Sequence, residues 1–207
     1  MSSVLIECQY LPSIAYFAAI QDSTELVLEK NENFIKQTYR NRCHIQSAQG
    51  TETLIIPLTA KHGKVLIKDI RIDYSQKWLN NHWRTIQSGY GKAPFFEYYS
   101  DDLEKTLFTR FDFLFDLNYN LLSMCLKWMK WNISVRETLA YNNEAGGSLD
   151  LRSVINPKKS ERLNSFFSPV PYTQVFGNTF AANMSIIDLI FCEGPGAGQV
   201  IRGSVKK

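Results

Sequence analysis

Residues 4–29, Val4-Leu5-Ile6-Glu7-Cys8-Gln9-Tyr10-Leu11-Pro12-Ser13 and on to Glu25-Leu26-Val27-Leu28-Glu29, decide the fold. Residues 4–8 are a short apolar run of the length expected for a buried strand. Gln9-Tyr10-Leu11-Pro12 is a turn, after which Ser13 is placed to cap a helix with Ile14, Phe17, Ala18 and Ile20 on its apolar side. Asp22-Ser23 closes that helix and residues 25–29 form a second strand. Strand, helix and strand within about thirty residues is a parallel βαβ unit with a right-handed crossover. Ligands of such units sit beyond the carboxyl ends of the strands, where Gln9, Tyr10 and the residues after Glu29 fall.

Next comes Phe34-Ile35-Lys36-Gln37-Thr38-Tyr39-Arg40-Asn41-Arg42-Cys43-His44-Ile45, dense in cations and amides. In an extended segment Arg40 and Arg42 project from one face while Asn41 and Cys43 project from the other. Guanidinium forks suit carboxylates and phosphates, and Lys36 adds a mobile point charge, so the three cations form a cradle for an anion. The competing reading is a solvated edge strand whose charges oppose aggregation.

The remaining chain reads as a meander followed by helices. Residues 41–46 and 53–57 flank a Gln49-Gly50 hairpin turn, and residues 65–72 are expected as a further strand beside the first unit. His62, in a Lys-Gly-rich turn, is expected at the surface. Residues 76–89 are expected as a helix capped by Ser75, with Trp78, His82 and Ile86 on one stripe. Ser100 opens a long helix predicted to reach about residue 131, and residues 132–135 return to the sheet. Residues 141–170 read as irregular around Gly146-Gly147. A terminal helix over 183–191 has Asn183 or Ser185 near its cap and stops at Glu193-Gly194-Pro195-Gly196. The fold class is α/β: a mixed sheet with an N-terminal βα(β) unit, an antiparallel meander and a helical second half. At 207 residues this is one domain, 1–207, long enough to bury a substantial core.

Composition narrows the function. A chain with 44% hydrophobic and 21% charged residues is globular, and a formal charge of +3 is too small for a nucleic-acid partner. No leader sequence and no apolar run of membrane-span length is visible, so a cytoplasmic address is expected. The four cysteines stand far apart, without a Cys-x-x-Cys pair, and no two histidines have metal-ligand spacing; no metal is expected. Cys43 and His44 point to opposite faces of a strand and cannot form a catalytic pair. His82 is the candidate general base, since an imidazole titrates near neutral pH; a core histidine bonded to a carbonyl is the structural alternative. No motif specifies a cofactor.

Several of these segments carry a resemblance. Gln9-Tyr10-Leu11-Pro12 with Tyr16-Phe17, Lys36-Gln37-Thr38-Tyr39-Arg40-Asn41-Arg42, Trp78 with His82, Tyr90-Gly91-Lys92-Ala93-Pro94, and Ser185-Ile186-Ile187-Asp188-Leu189-Ile190-Phe191 with Gly194-Pro195 together resemble the WbqC-like family of bacterial proteins. Where many relatives carry a carboxylate pair after the second strand, this chain has Glu29-Lys30-Asn31-Glu32. The family occurs among genes for O-antigen and other surface polysaccharides, and glycine transfer has been suggested for some members. The resemblance implies a transferase modifying an activated sugar or glycan precursor. Lys36, Arg40 and Arg42 would hold an anionic partner, such as a sugar nucleotide or acyl donor. Gln9, Asn41 and the rings of Tyr10, Tyr39 and Trp78 would orient it; core packing is the competing role for those rings. Two other classes stay open: a nucleotidyltransferase resembling the HIGH type, although no histidine stands in the first turn, and a non-catalytic binding or assembly factor. Homo-oligomerisation is also left open.

Overall fold

The computed structural model describes residues 2–59, 63–158, 161–177 and 179–206; His62 lies outside them. Strand β1 (Ser3–Glu7), helix α1 (Ile14–Ile20) and strand β2 (Glu25–Glu29) form the expected unit. β1 and β2 pair in parallel, with Leu5 opposite Val27 and Glu7 opposite Glu29. Two later strands complete a four-stranded parallel sheet. β5 (Ser134–Glu137) joins the outer edge of β2, and β6 (Leu149–Asp150) joins the free side of β1, giving the order β5-β2-β1-β6. The apolar runs of β1 and β2 follow from burial on both faces, as parallel sheets require.

The meander does not join this sheet. β3 (Arg42–Ser47) and β4 (Gly50–Ile55) form a separate two-stranded antiparallel ribbon. β1 and β2 are flanked by each other and by β6 and β5, so the ribbon pairs with neither. Residues 65–72 form no strand. A single 3-10 turn, Ile67–Asp69, interrupts them, and isolated bridges reach three different partners, Asn33, Leu58 and Phe113.

Those bridges also divide the expected long helix. Ile72 donates its backbone N–H to Asp112, and Leu114 donates to Ile70, which holds residues 112–114 extended. Helix α3 (Phe96–Phe108) therefore ends before α4 (Leu114–Trp128) begins. Ser100 lies inside α3 and caps nothing. Helix α2 (Trp78–Tyr90) buries Trp78, His82 and Ile86 on one stripe, but Lys77, not Ser75, precedes it. Helix α5 (Glu161–Phe166) is short.

Helices α6 (Ile186–Glu193) and α7 (Ala197–Gly203) bring the end of the chain back to its start. Ser185 donates its N–H to His44 and its hydroxyl to Leu11, and Ile186 donates to Pro12. The Asn183 side-chain oxygen accepts the backbone N–H of Ala15 at 2.9 Å. Asn183 thus caps α1, the task expected of Ser13, whose hydroxyl has no partner. Leu11 is held at φ +39°, so the turn after β1 is strained and depends on this lacing.

Candidate functional site

All the parallel strands end on one side of the sheet, and carboxylates gather there. Glu7 and Glu29 close β1 and β2, each 1% exposed. Glu7 accepts from Gln9 Nε2 at 2.8 Å and from the backbone N–H of Ser153 at 2.7 Å. Glu29 accepts from the Asn31 N–H, the Thr138 hydroxyl and Arg152. Arg40 reaches Glu32 through Nε at 2.6 Å and Nη2 at 2.7 Å, with Glu7 4.0 Å away. At 1% exposure burial works against the Arg40 charge, but the two carboxylates outweigh it and its pKa is raised.

A polar cavity of about 550 Å³ opens above this network, lined by Glu32, Asn33, Ile35, Tyr141, Asn143, Asp150, Arg152, Ser153 and Arg162. It lies where ligands of parallel sheets bind, its lining drawn largely from the segments that follow β2, β5 and β6. Arg152 is tied to Asp150 and Glu29 and lies over the Tyr141 ring, 4.8 Å from its centroid.

A second cavity, about 520 Å³, lies against the β3–β4 ribbon. Its polar lining includes Lys36, Gln37, Asn41 and Arg42, and its apolar lining includes Phe34, Ile55, Ile56, Pro57, Leu58, Val65 and Ile70. Asn33 and Ile35 face the first cavity while Phe34 and Lys36 face the second, so this stretch of chain separates the two. No carboxylate lines the ribbon cavity among the described residues, and neither Lys36 nor Arg42 has an acidic partner there. Arg42 keeps a buried Nε without a hydrogen bond, and Asn41, 8% exposed, keeps an unpartnered Oδ1. The other Asn41 atom, Nδ2, donates to Ile56.

The residues singled out from the sequence therefore fall into three places. Lys36, Asn41 and Arg42 line the ribbon cavity. Gln9 and Arg40 belong to the carboxylate network. Arg40 precedes β3, so it does not share a strand face with Arg42, and its donors are already spent on Glu32 and on the hydroxyls of Thr38 and Ser153. Tyr10, Tyr39, Trp78 and His82 are buried in the core and line neither cavity. His82 Nδ1 is 3.0 Å from the Tyr10 hydroxyl, and the ring also bonds the Ile55 carbonyl. Burial pushes its pKa down to about 4, with the Ile55 contact opposing the fall.

Residues 8–168 match the WbqC-like protein family. The chain belongs to the WbqC-like family. An uncharacterized protein, Rv1507c, of Mycobacterium tuberculosis is 28% identical over 100 residues, covering 47% of this chain and 42% of that protein. The chain thus spans less than half the length of this relative. No solved structure matches it. Several of the segments that carried the resemblance serve the architecture of this chain. The Gln9-Tyr10-Leu11-Pro12 turn is bonded to Tyr39, His82 and the Ser185 segment, and Asp188 is buried against Tyr90, Tyr172 and Gln174. Glu7, Asp150, Arg152 and Ser153 went unnoticed in the sequence. Glu7 and Glu29 carried a readable signal, an acid closing each apolar strand; the other three sit in a stretch without periodicity.

Proposed function

We propose that this WbqC-like protein is a transferase acting on an activated sugar or glycan precursor, and that Lys36 and Arg42 hold the anionic group of one substrate in the ribbon cavity. One observation carries the reading. The interior cations Arg40 and Arg152 are neutralised by carboxylates, whereas Lys36 and Arg42 converge on one cavity without an acid among the described residues. Two unpaired cations with apolar walls favour an anion, because low-dielectric surroundings strengthen charge-assisted hydrogen bonds. In this reading Asn41 contacts the ligand, Arg40 ties Glu32 and Thr38 together, Gln9 orients Glu7, and His82 supports the cavity wall through Ile55. The polar cavity, rich in amide, hydroxyl and guanidinium groups beside the Tyr141 ring, suits a polyhydroxylated partner.

The test is calorimetric titration with inorganic phosphate, pyrophosphate and phosphate monoesters. Arg42→Gln is expected to weaken binding more than ten-fold, the loss of a charge-assisted contact of about 1.5–3 kcal/mol, with the thermal midpoint unchanged. Anion binding that is absent, or indifferent to Arg42→Gln, overturns the assignment.

A further inference from the structure

The ribbon cavity has a second property, the chemistry of its wall. Beyond Lys36 and Arg42 the lining is mostly apolar, with Phe34, Ile55, Leu58 and Val65 supplying branched aliphatic groups and one ring, and Gln37, Asn41 and Thr59 its neutral polar groups. A nucleobase is held by stacking between rings and by hydrogen bonds to its edge; here, among the described residues, a single aromatic residue lines the cavity. Sugar hydroxyls need strong acceptors, and no carboxylate lines this cavity among the described residues. Ile55 is 45% exposed at the end of β4, an apolar side chain left at the cavity's border. About 520 Å³ is far more than a bare phosphate fills and lies within the range of cavities that enclose small-molecule ligands.

We infer that this cavity takes an amphipathic anion: an aliphatic chain ending in a phosphate, as found in acyl phosphates and in phosphopantetheine-type carrier arms. The inference rests on the anion-binding reading above and adds which half of the activated substrate lies there. The phosphate meets Lys36 and Arg42, and the chain runs along Ile55, Leu58 and Val65. Asn41 Oδ1, still without a donor, is the acceptor that an amide N–H of a carrier arm would satisfy.

The experiment is calorimetry on the full chain with inorganic phosphate, then ethyl, butyl and hexyl phosphate, uridine diphosphate and 4′-phosphopantetheine. Affinity is expected to rise roughly three- to four-fold per added methylene, as for each buried CH₂ group. Ile55→Ser, at a position 45% exposed, is expected to flatten this rise, bringing the affinity for hexyl phosphate down toward that for inorganic phosphate. Phosphopantetheine binding tighter than hexyl phosphate identifies a carrier arm as the source; the reverse order identifies a free acyl phosphate. Affinity independent of chain length, or uridine diphosphate binding tighter than hexyl phosphate and phosphopantetheine alike, overturns the inference while Arg42-dependent anion binding stands. If no phosphate compound binds, or if binding ignores Arg42→Gln, the anion-binding reading falls and takes this inference with it.

Discussion

Glu32→Gln isolates what the buried Arg40 contributes. In the native protein two charge-assisted hydrogen bonds, at 2.6 and 2.7 Å, join groups that are 1% and 7% exposed. Glutamine keeps the shape and one acceptor oxygen but removes the charge. The nearest remaining carboxylate, Glu7, is 4.0 Å away and already bonded by Gln9 and Ser153. A guanidinium left buried beside one partly committed carboxylate costs about 3–5 kcal/mol, and the retained amide contact places the loss near ~3 kcal/mol. For a chain of this size that lowers the thermal midpoint by roughly 6–12 °C. Urea unfolding followed by tryptophan fluorescence measures it, and a double-mutant cycle with Arg40→Met separates the pair from its surroundings. The pair is coupled, so the double variant should lose less than the two single losses added together. A loss below about 1 kcal/mol for Glu32→Gln, or strict additivity in the cycle, refutes the reasoning.

Two further substitutions test other parts of the fold. His82 has a folded-state pKa near 4 against an ordinary 6.5, so the unfolded chain takes up the proton first and stability falls as pH drops through that window. The fall attributable to this ring is about 3 kcal/mol, and His82→Gln is expected to remove it; unfolding free energies for both proteins at pH 7 and pH 4.5 check the difference, and equal slopes contradict it. Gly194 ends α6 at φ +51°, where an added Cβ would stand 2.5 Å from the Phe95 ring. Gly194→Ala is expected to cost ~3 kcal/mol or more, read as a lowered thermal midpoint, from backbone strain and overpacking together.

The parallel unit was legible because its cues are local. An apolar run, a turn, an apolar helix and a second run lie within residues 4–29 and fold as read. The α2 stripe was equally plain, since Trp78, His82 and Ile86 recur at helical spacing. The misreadings share a cause: partners remote in sequence. Nothing in residues 100–131 announces the break at 109–113, which residues 70–72 impose by pairing with 112–114. β6 is two residues long and half of it is Asp150, so no periodicity marks it. Spacing could not sort the members of the cation-rich segment. Arg40 is claimed by Glu32 in three dimensions, while Arg42 has no acidic partner among the described residues.

The lacing of Asn183 and Ser185 onto the first turn bears on how the molecule is made. A peptide emerging from the ribosome would present β1 and α1 early, yet the acceptor for the Ala15 amide is 168 positions downstream. The left-handed kink at Leu11 is likewise unsupported until Ser185 arrives. Maturation of this unit must therefore wait until residues 183–185 have been synthesised, a slow closure governed by distant contacts. Ribosome-bound chains ending before residue 183 should remain protease-sensitive around Leu11, and those extending past α7 should not.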